Sequence, residues 1–287
     1  MTKSSPDRES GYWSGKRDTV RMIEREQTED AMPDEGEVVV VIPARYDSRR
    51  FPGKVLARIC GRSMIEHVWR SVSAARNIDS VLVATDDERI AREVKNFGGS
   101  VVMTDKSIPS GSDRVAVVAR SSGASIIVNV QADEPLTEPE SIDDLILFMH
   151  REKRAEIATV VRPIKDPREL FDSNVVKAVI ASGGRVLYFS RSLIPYHESP
   201  ERLTRKMLKE DKFYAHAGIY AYRREALLRL TSLTPSFLEV RESLEQLRAL
   251  ENGMSVYAIV RDVNSIGVDL PTHIPIVEKR LRERGDE

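Results

Sequence analysis

The feature that most constrains this chain is the run VVVVI at 38–42, which has no polar alternation. A strand wetted on one face alternates apolar and polar residues, so an unbroken apolar run belongs to a strand covered by helices on both faces. Further runs follow: VLVAT (81–85), SVVMT (100–104) and SIIVNVQ (125–131). Between them lie helical patterns at 63–75, 87–97, 112–121 and 139–154, and Gly98-Gly99 offers a left-handed cap after the second. Strands alternating with helices of this length pair in parallel through crossovers. The first half is predicted to be a doubly wound α/β sheet.

The second half breaks that rhythm. VVKAVIA and RVLYFSR, joined by Ser182-Gly183-Gly184, predict an antiparallel hairpin over 175–191. AHAGIYAY (215–222) reads as a strand, with a helix starting at Arg223. The stretch SFLEVRESLEQLRALENG places Phe237, Val240, Leu244 and Leu247 at helical spacing, which predicts one helix stopped at Gly253. MSVYAIV (254–260) is a further strand and 272–284 a closing helix. Together these predict one mixed α/β domain over 37–287 with an antiparallel arm. Residues 1–36 are crowded with charge and predict a disordered extension, with Val20 and Ile23 able to share one face of a short helix over 20–26.

Charge and composition remove several classes. Lys+Arg number 44 against Asp+Glu 45, a formal net charge of −1, without the basic excess that drives nucleic-acid binding. No apolar run approaches the roughly 20 residues that span a bilayer, and the first residues lack the apolar core of a secretory signal. One cysteine, Cys60, can form neither an internal disulfide nor a cysteine zinc cage. The expectation is a protein of a reducing cytoplasm, with neither nucleic acid nor membrane as partner.

In open parallel sheets, ligands bind beyond the carboxyl ends of the strands. The first such end reads IPARYDSRRFPGK (42–54) and carries Arg45, Arg49, Arg50 and Lys54 on one loop. Guanidinium groups bind phosphate oxygens in pairs and lysine adds a point charge, so this cation density suits a triphosphate. A P-loop is excluded, since Gly53-Lys54 is followed by Val55 and the earlier glycine is missing; the G-x-G-x-x-G dinucleotide signature is also absent. A solvated basic loop without a ligand is the competing reading. Two later strand ends are acidic: Asp133, stopped by Pro135, and Asp269 in SIGVDLP. Mg²⁺ is typically held by one or two carboxylates together with substrate phosphates, so the pair forms a candidate metal site. Taken singly, either aspartate reads more readily as a turn or cap residue, and the metal reading gains only from the pair together with the basic loop.

Eight ordered blocks then carry a resemblance: IPARYDSRRFPGKVL, ATDDERIA, PSGSDRV, NVQADEP, LYFSRSLIPY, HAGIYAYR, LEQLRALENG and GVDLP. From about residue 38 to the C-terminus the chain resembles the 3-deoxy-D-manno-octulosonate (KDO) cytidylyltransferases, the CMP-KDO synthetases. The resemblance implies a Rossmann-like nucleotidyltransferase core, a mixed and mostly parallel sheet, and an antiparallel arm used for homodimerisation. It implies a Mg²⁺-dependent, cytoplasmic enzyme joining CTP and KDO, releasing pyrophosphate and giving CMP-KDO for lipopolysaccharide synthesis. By position, it assigns Arg45, Arg50 and Lys54 to the CTP phosphates. Asp86, Ser110, Gly111, Asp113 and Arg114 fall on the nucleotide side, and Asp133 and Asp269 on the metal. Gln131, Arg191, His216, Tyr220, Glu245 and Gln246 fall on the sugar pocket. Ser110 also stands where an N-cap belongs, a role compatible with binding. The family usually carries glycine at the position of Ala132, which directs attention to the sugar accepted. Two other readings stay open: a cytidylyltransferase for a related 2-keto sugar acid (8-amino-KDO or a nonulosonate), and an inactive sugar-nucleotide sensor.

Overall fold

The computed structural model describes residues 36–48, 50–209, 212–263 and 266–285. The expected N-terminal extension, its short helix and Arg49 therefore lie outside the described residues.

Strand β1 (Val38–Ala44) opens the sheet, and a two-residue hairpin, β2 (Arg58–Ile59) and β3 (Arg62–Ser63), leads into helix α1 (Met64–Ser73). The alternation then runs β4 (Ser80–Thr85), α2 (Glu88–Asn96), β5 (Ser100–Met103), α3 (Gly111–Ser121), β6 (Ile126–Val130) and α4 (Pro139–Arg151). Next come β7 (Ile157–Pro163), the short α5 (Arg168–Phe171), the hairpin β8 (Lys177–Ile180) and β9 (Val186–Ser190), and the long β10 (Tyr214–Arg223). The chain closes with α6 (Arg224–Ser232), α7 (Phe237–Glu242), α8 (Gln246–Glu251), β11 (Val256–Val260) and α9 (Ile274–Arg284).

The main path of the sheet is β11-β7-β10-β6-β1-β4-β5, with β8 and β9 attached beside β10. β1 pairs in parallel with both β4 and β6, as do β4 with β5 and β7 with β11. β10 runs antiparallel to β6, β7 and β8, and β8 and β9 form the expected antiparallel arm.

The apolar runs alternate between two cores. Val38, Val40 and Ile42 of β1 pack on one face with Ile65 and Val68 of α1 and Leu145 of α4. Val39 and Val41 pack on the other with Val115 of α3 and Leu227 of α6. All five are buried, and each contributes about 1.5–3 kcal/mol of transfer free energy, which is why no polar residue is tolerated in the run. Gly98 takes a φ of +88° after α2, as the left-handed cap requires.

One expectation is corrected and one strand is added. The helix expected over 236–253 is two helices, α7 and α8, broken at Ser243, whose φ is +52°. The Glu242 carboxylate accepts bonds from the Ser190 hydroxyl (2.6 Å) and the Arg191 amide (3.0 Å), and this tie to the arm accompanies the break. β7 was not anticipated: IATVVRP is apolar on both faces but follows a helix without turn punctuation. β10 also carries a register shift against β7 between Ala217 and Tyr220, a bulge that re-aims the side chains on either side.

Candidate active site

Parallel pairing puts the ends of β1, β4 and β6 on one edge, so the segments after Ala44, Thr85 and Val130 emerge side by side. A cavity of about 1060 Å³ lies at this edge. Arg45, Arg50, Lys54, Ser110, Gly111, Arg114, Gln131, Asp133 and Asp269 all line it.

The basic loop is folded back by a glycine. Gly53 has a φ of +70°, and its amide donates to the Tyr46 carbonyl at 2.9 Å. A Cβ at this position would stand 3.0 Å from the Tyr46 ring, so glycine is needed for space as well as for conformation. The Arg89 guanidinium lies 3.3 Å over the same ring, a cation–π contact that helps hold Tyr46. The following 3-10 turn, Lys54–Leu56, then directs Lys54 inward.

The two aspartates converge. Lys54 Nζ contacts Asp133 Oδ2 and lies 3.2 Å from Asp269 Oδ1, while Arg50 Nη2 lies 2.8 Å from Asp269 Oδ2. The cause is a backbone tie: the Val268 amide donates to the Asp133 carbonyl at 2.9 Å, so the late segment docks on the end of β6. A single ammonium spans both carboxylates, and this oxygen-only donor pair suits a hard divalent cation completed by phosphates.

The nucleotide-side residues are brought together in part. Arg114 is buried, bonds Thr104 Oγ1 and pairs with Asp86 at 2.9 Å. Asp86 and Asp113 stand behind the cavity wall, Asp86 orienting Arg114 and Asp113 taking a 2.7 Å bond from the Ser110 hydroxyl. Ser110 is the N-cap of α3, accepting from the Asp113 amide at 3.1 Å, and Ser110 Oγ also lies 3.1 Å from Glu245 Oε1.

Beyond Gln131 lies a smaller cavity of about 70 Å³ lined by Gln131, Tyr220, Glu245 and Gln246, four of the six expected sugar-side residues. Gln131 borders both cavities and is oriented by a 3.0 Å bond from its amide to Asn129 Oδ1. Burial pushes the Glu245 carboxyl up, against the bonds from Ser112 (2.7 Å) and Ser110. Burial likewise raises Tyr220 well above the usual phenol range. His216 stands apart from both linings: its Nε2 bonds Thr159 Oγ1 at 2.9 Å, its ring packs on Phe189 and Tyr220, and burial pushes its pKa down to about 4. Arg191 stands apart too, its guanidinium held by the carbonyls of Ser173, Glu242 and Ser243.

Sequence reasoning missed Asp47, Ser48 and Ser243 in the larger cavity and Asn129 and Tyr222 in the smaller. Asn129 and Tyr222 were within reach, since each lies two residues along a strand from an expected residue and so shares its face. Ala132 is buried, lines the larger cavity and has no positive φ, so its methyl group is accommodated without backbone strain.

Residues 39–256 match the family model described as cytidylyltransferase. A 3-deoxy-manno-octulosonate cytidylyltransferase of Myxococcus xanthus is 46% identical over 248 residues, covering 86% of this chain and 97% of that protein. The protein of the same name from Geobacter sulfurreducens is 42% identical over 252 residues, covering 85% and 99%. A solved structure of CMP:2-keto-3-deoxy-manno-octonic acid synthetase complexed with CTP superposes with a TM-score of 0.80 at 36% identity, covering 86% of this chain and 99% of that one. A 4-diphosphocytidyl-2C-methyl-D-erythritol synthase of Anaerococcus prevotii, at 12% identity and a TM-score of 0.58, shares the fold. The chain belongs to the cytidylyltransferase family, among the 3-deoxy-manno-octulosonate cytidylyltransferases.

Proposed function

We propose that this protein transfers CMP from CTP to the anomeric 2-hydroxyl of KDO, giving CMP-KDO and pyrophosphate, in the service of lipopolysaccharide synthesis. The observation that carries the reading is the juxtaposition of Lys54 and Arg50 with Asp133 and Asp269 in one cavity that adjoins a smaller polar one. The relatives' names and the CTP complex of the superposed structure supply the substrates.

The larger cavity accommodates CTP, with Arg45, Arg50 and Lys54 on its phosphates. The sugar acid enters from the side of Gln131, Tyr220, Glu245 and Gln246, whose amide, phenol and carboxyl groups suit its hydroxyls. The 2-hydroxyl oxygen attacks the α-phosphorus in line. A P–O bond forms as the bond to the β-phosphate bridge breaks, the electron pair leaves with pyrophosphate, and the hydroxyl proton is lost to solvent. Arg45, Arg50 and Lys54 stabilise the charge that develops on the leaving group. Asp133 and Asp269 would hold Mg²⁺, which when bound supplies charge neutralisation and acidifies a ligated hydroxyl.

A homodimer formed through the arm is part of the same reading, supported by Leu187 on β9 and Tyr196 beyond it, 57% and 85% exposed. A cytoplasmic location accords with the charge balance, and no helix among the described residues is long and apolar enough to cross a membrane. The test is pyrophosphate release with CTP and Mg²⁺ across a panel of 2-keto sugar acids. KDO should give the highest kcat/KM; a preference for 8-amino-KDO or a nonulosonate would replace the acceptor, and CTP binding without turnover would replace the enzyme by a sensor.

A further inference from the structure

A third cavity, of about 350 Å³, is bordered by α1, by the loop after Asp133 and by α9. Arg62, Arg70 and Arg284 line it together with His67, and none of the described lining residues is acidic. Glu66, which flanks it, serves two arginines: its Oε1 lies 2.9 Å from Arg70 Nε and 4.0 Å from Arg62 Nε. Arg284 is oriented by bonds to the Leu136 carbonyl (3.1 Å) and to Glu138 (2.7 Å). His67 Nε2 is 2.7 Å from the Ile59 carbonyl. Burial pushes the His67 pKa down, against the bond to the Ile59 carbonyl, and the charges of Arg62 and Arg70 lower it while that of Glu66 raises it.

Three guanidinium groups line one concavity, and even with Arg70 paired to Glu66 and Arg284 to Glu138 their charge and N–H donors suit a compact oxyanion such as a phosphoryl group. None of these residues lines either of the cavities assigned to CTP and the sugar acid. We propose that this cavity is a second oxyanion site that takes pyrophosphate or inorganic phosphate. Its position gives such a ligand a route to the reaction centre. Pro135 and Thr137 of its wall follow Asp133 by two and four residues, and Leu281 and Arg284 stand on the helix that follows Asp269. Arg62 stands on β3, Arg70 on α1 and Arg284 on α9, so an anion bridging the arginines ties α9, which follows Asp269, to α1 beside the stretch that follows Asp133. Pyrophosphate comes from the reaction itself, and phosphate from the surrounding solution.

The experiment is isothermal titration of pyrophosphate, and separately of phosphate, into the full chain. Wild type is expected to take two equivalents of pyrophosphate, one on the CTP side and one here. Arg62→Gln/Arg70→Gln should lose one equivalent, or bind it at least tenfold more weakly, while kcat and KM for CTP stay within twofold of wild type. Lys54→Met should lose the other equivalent and keep this one, and Arg62→Lys/Arg70→Lys should bind it with an affinity between those of wild type and the Gln variant, because the charges persist and the guanidinium donors do not. Tighter binding of pyrophosphate than of phosphate identifies the reaction product as the ligand, and the reverse order identifies free phosphate; either supports the site. Equal stoichiometry and affinity in wild type and the Gln double variant would overturn it, as would a single equivalent in wild type that disappears with Lys54.

Discussion

The Val268 amide donates to the Asp133 carbonyl across 2.9 Å, and this one backbone bond makes Asp269 a neighbour of Asp133. Both carboxylates then reach the ammonium of Lys54. The convergence is a property of the main chain, so side-chain substitutions can test the carboxylates without moving them.

Asp133→Asn and Asp269→Asn should each lower kcat for CMP-KDO formation by at least about 10²–10³, the range seen when one group that stabilises transition-state charge is removed. Pyrophosphate release at saturating Mg²⁺ measures this. Near-wild-type rates in either variant would remove that aspartate from the reaction. The same preparations titrated with Mn²⁺ in the presence of CTP should bind the ion more weakly than wild type.

Lys54→Met keeps most of the length of the side chain but removes the charge shared by both aspartates. Its kcat/KM for CTP should fall by roughly 10²-fold, as expected when a cation facing the leaving group is lost. Lys54→Arg should recover only part of this, because a planar fork cannot replace a compact ammonium between two carboxylates. Full activity in Lys54→Met would assign the lysine to structure.

Arg248 is buried and grips Glu239 with two bonds, Nε to Oε2 at 2.8 Å and Nη2 to Oε1 at 2.5 Å, joining α8 to α7 across the break at Ser243. Removing one member of such a pair costs about 3–5 kcal/mol when the other charge is left uncompensated, and less here because Arg248 also lies 3.7 Å from Glu245 Oε1. Glu239→Gln should therefore lower the urea midpoint markedly. It should also weaken sugar-acid binding, since the same joint sets Ser243 and Glu245 at the cavities. An unchanged midpoint would show that the joint holds without the ion pair.

His216 carries the pH dependence with the clearest sign. Its pKa is about 4 in the folded chain against the usual 6.5 of a histidine, so between those values the unfolded chain binds the extra proton. Stability from the neutral ring is complete above about pH 6.5 and is lost as the pH falls toward 4. Glu245, pushed up by burial, has the opposite sign. The comparison of wild type with His216→Gln isolates the histidine. Urea midpoints should show the variant losing less stability than wild type between pH 7 and pH 4.5. Parallel curves would mean that the ring titrates normally.

Much of the framework was legible because it rests on local patterns. The unbroken run in β1 announced a strand buried on both faces, Ser110 announced the start of α3, and Gly98 announced the end of α2. The helix expected over 236–253 failed for the converse reason. Its apolar spacing is continuous, and the break at Ser243 accompanies bonds from Glu242 to Ser190 and Arg191 on the arm, which helical periodicity does not register. Arg191 shows the same limit: its chemistry suits a sugar carboxylate, yet the fold commits its guanidinium to three backbone carbonyls.

The amino-acid order by itself determined the alternating α/β framework, the cationic loop at the first strand end and the two acidic strand ends, because each is encoded within a few consecutive residues. Only the tertiary structure decided that Asp133 and Asp269 share one cation, that Gln131 stands between two cavities, and that Arg62, Arg70 and Arg284 surround a third. Those relationships join segments far apart in the chain, and strand pairing and backbone docking fix them where no local pattern can.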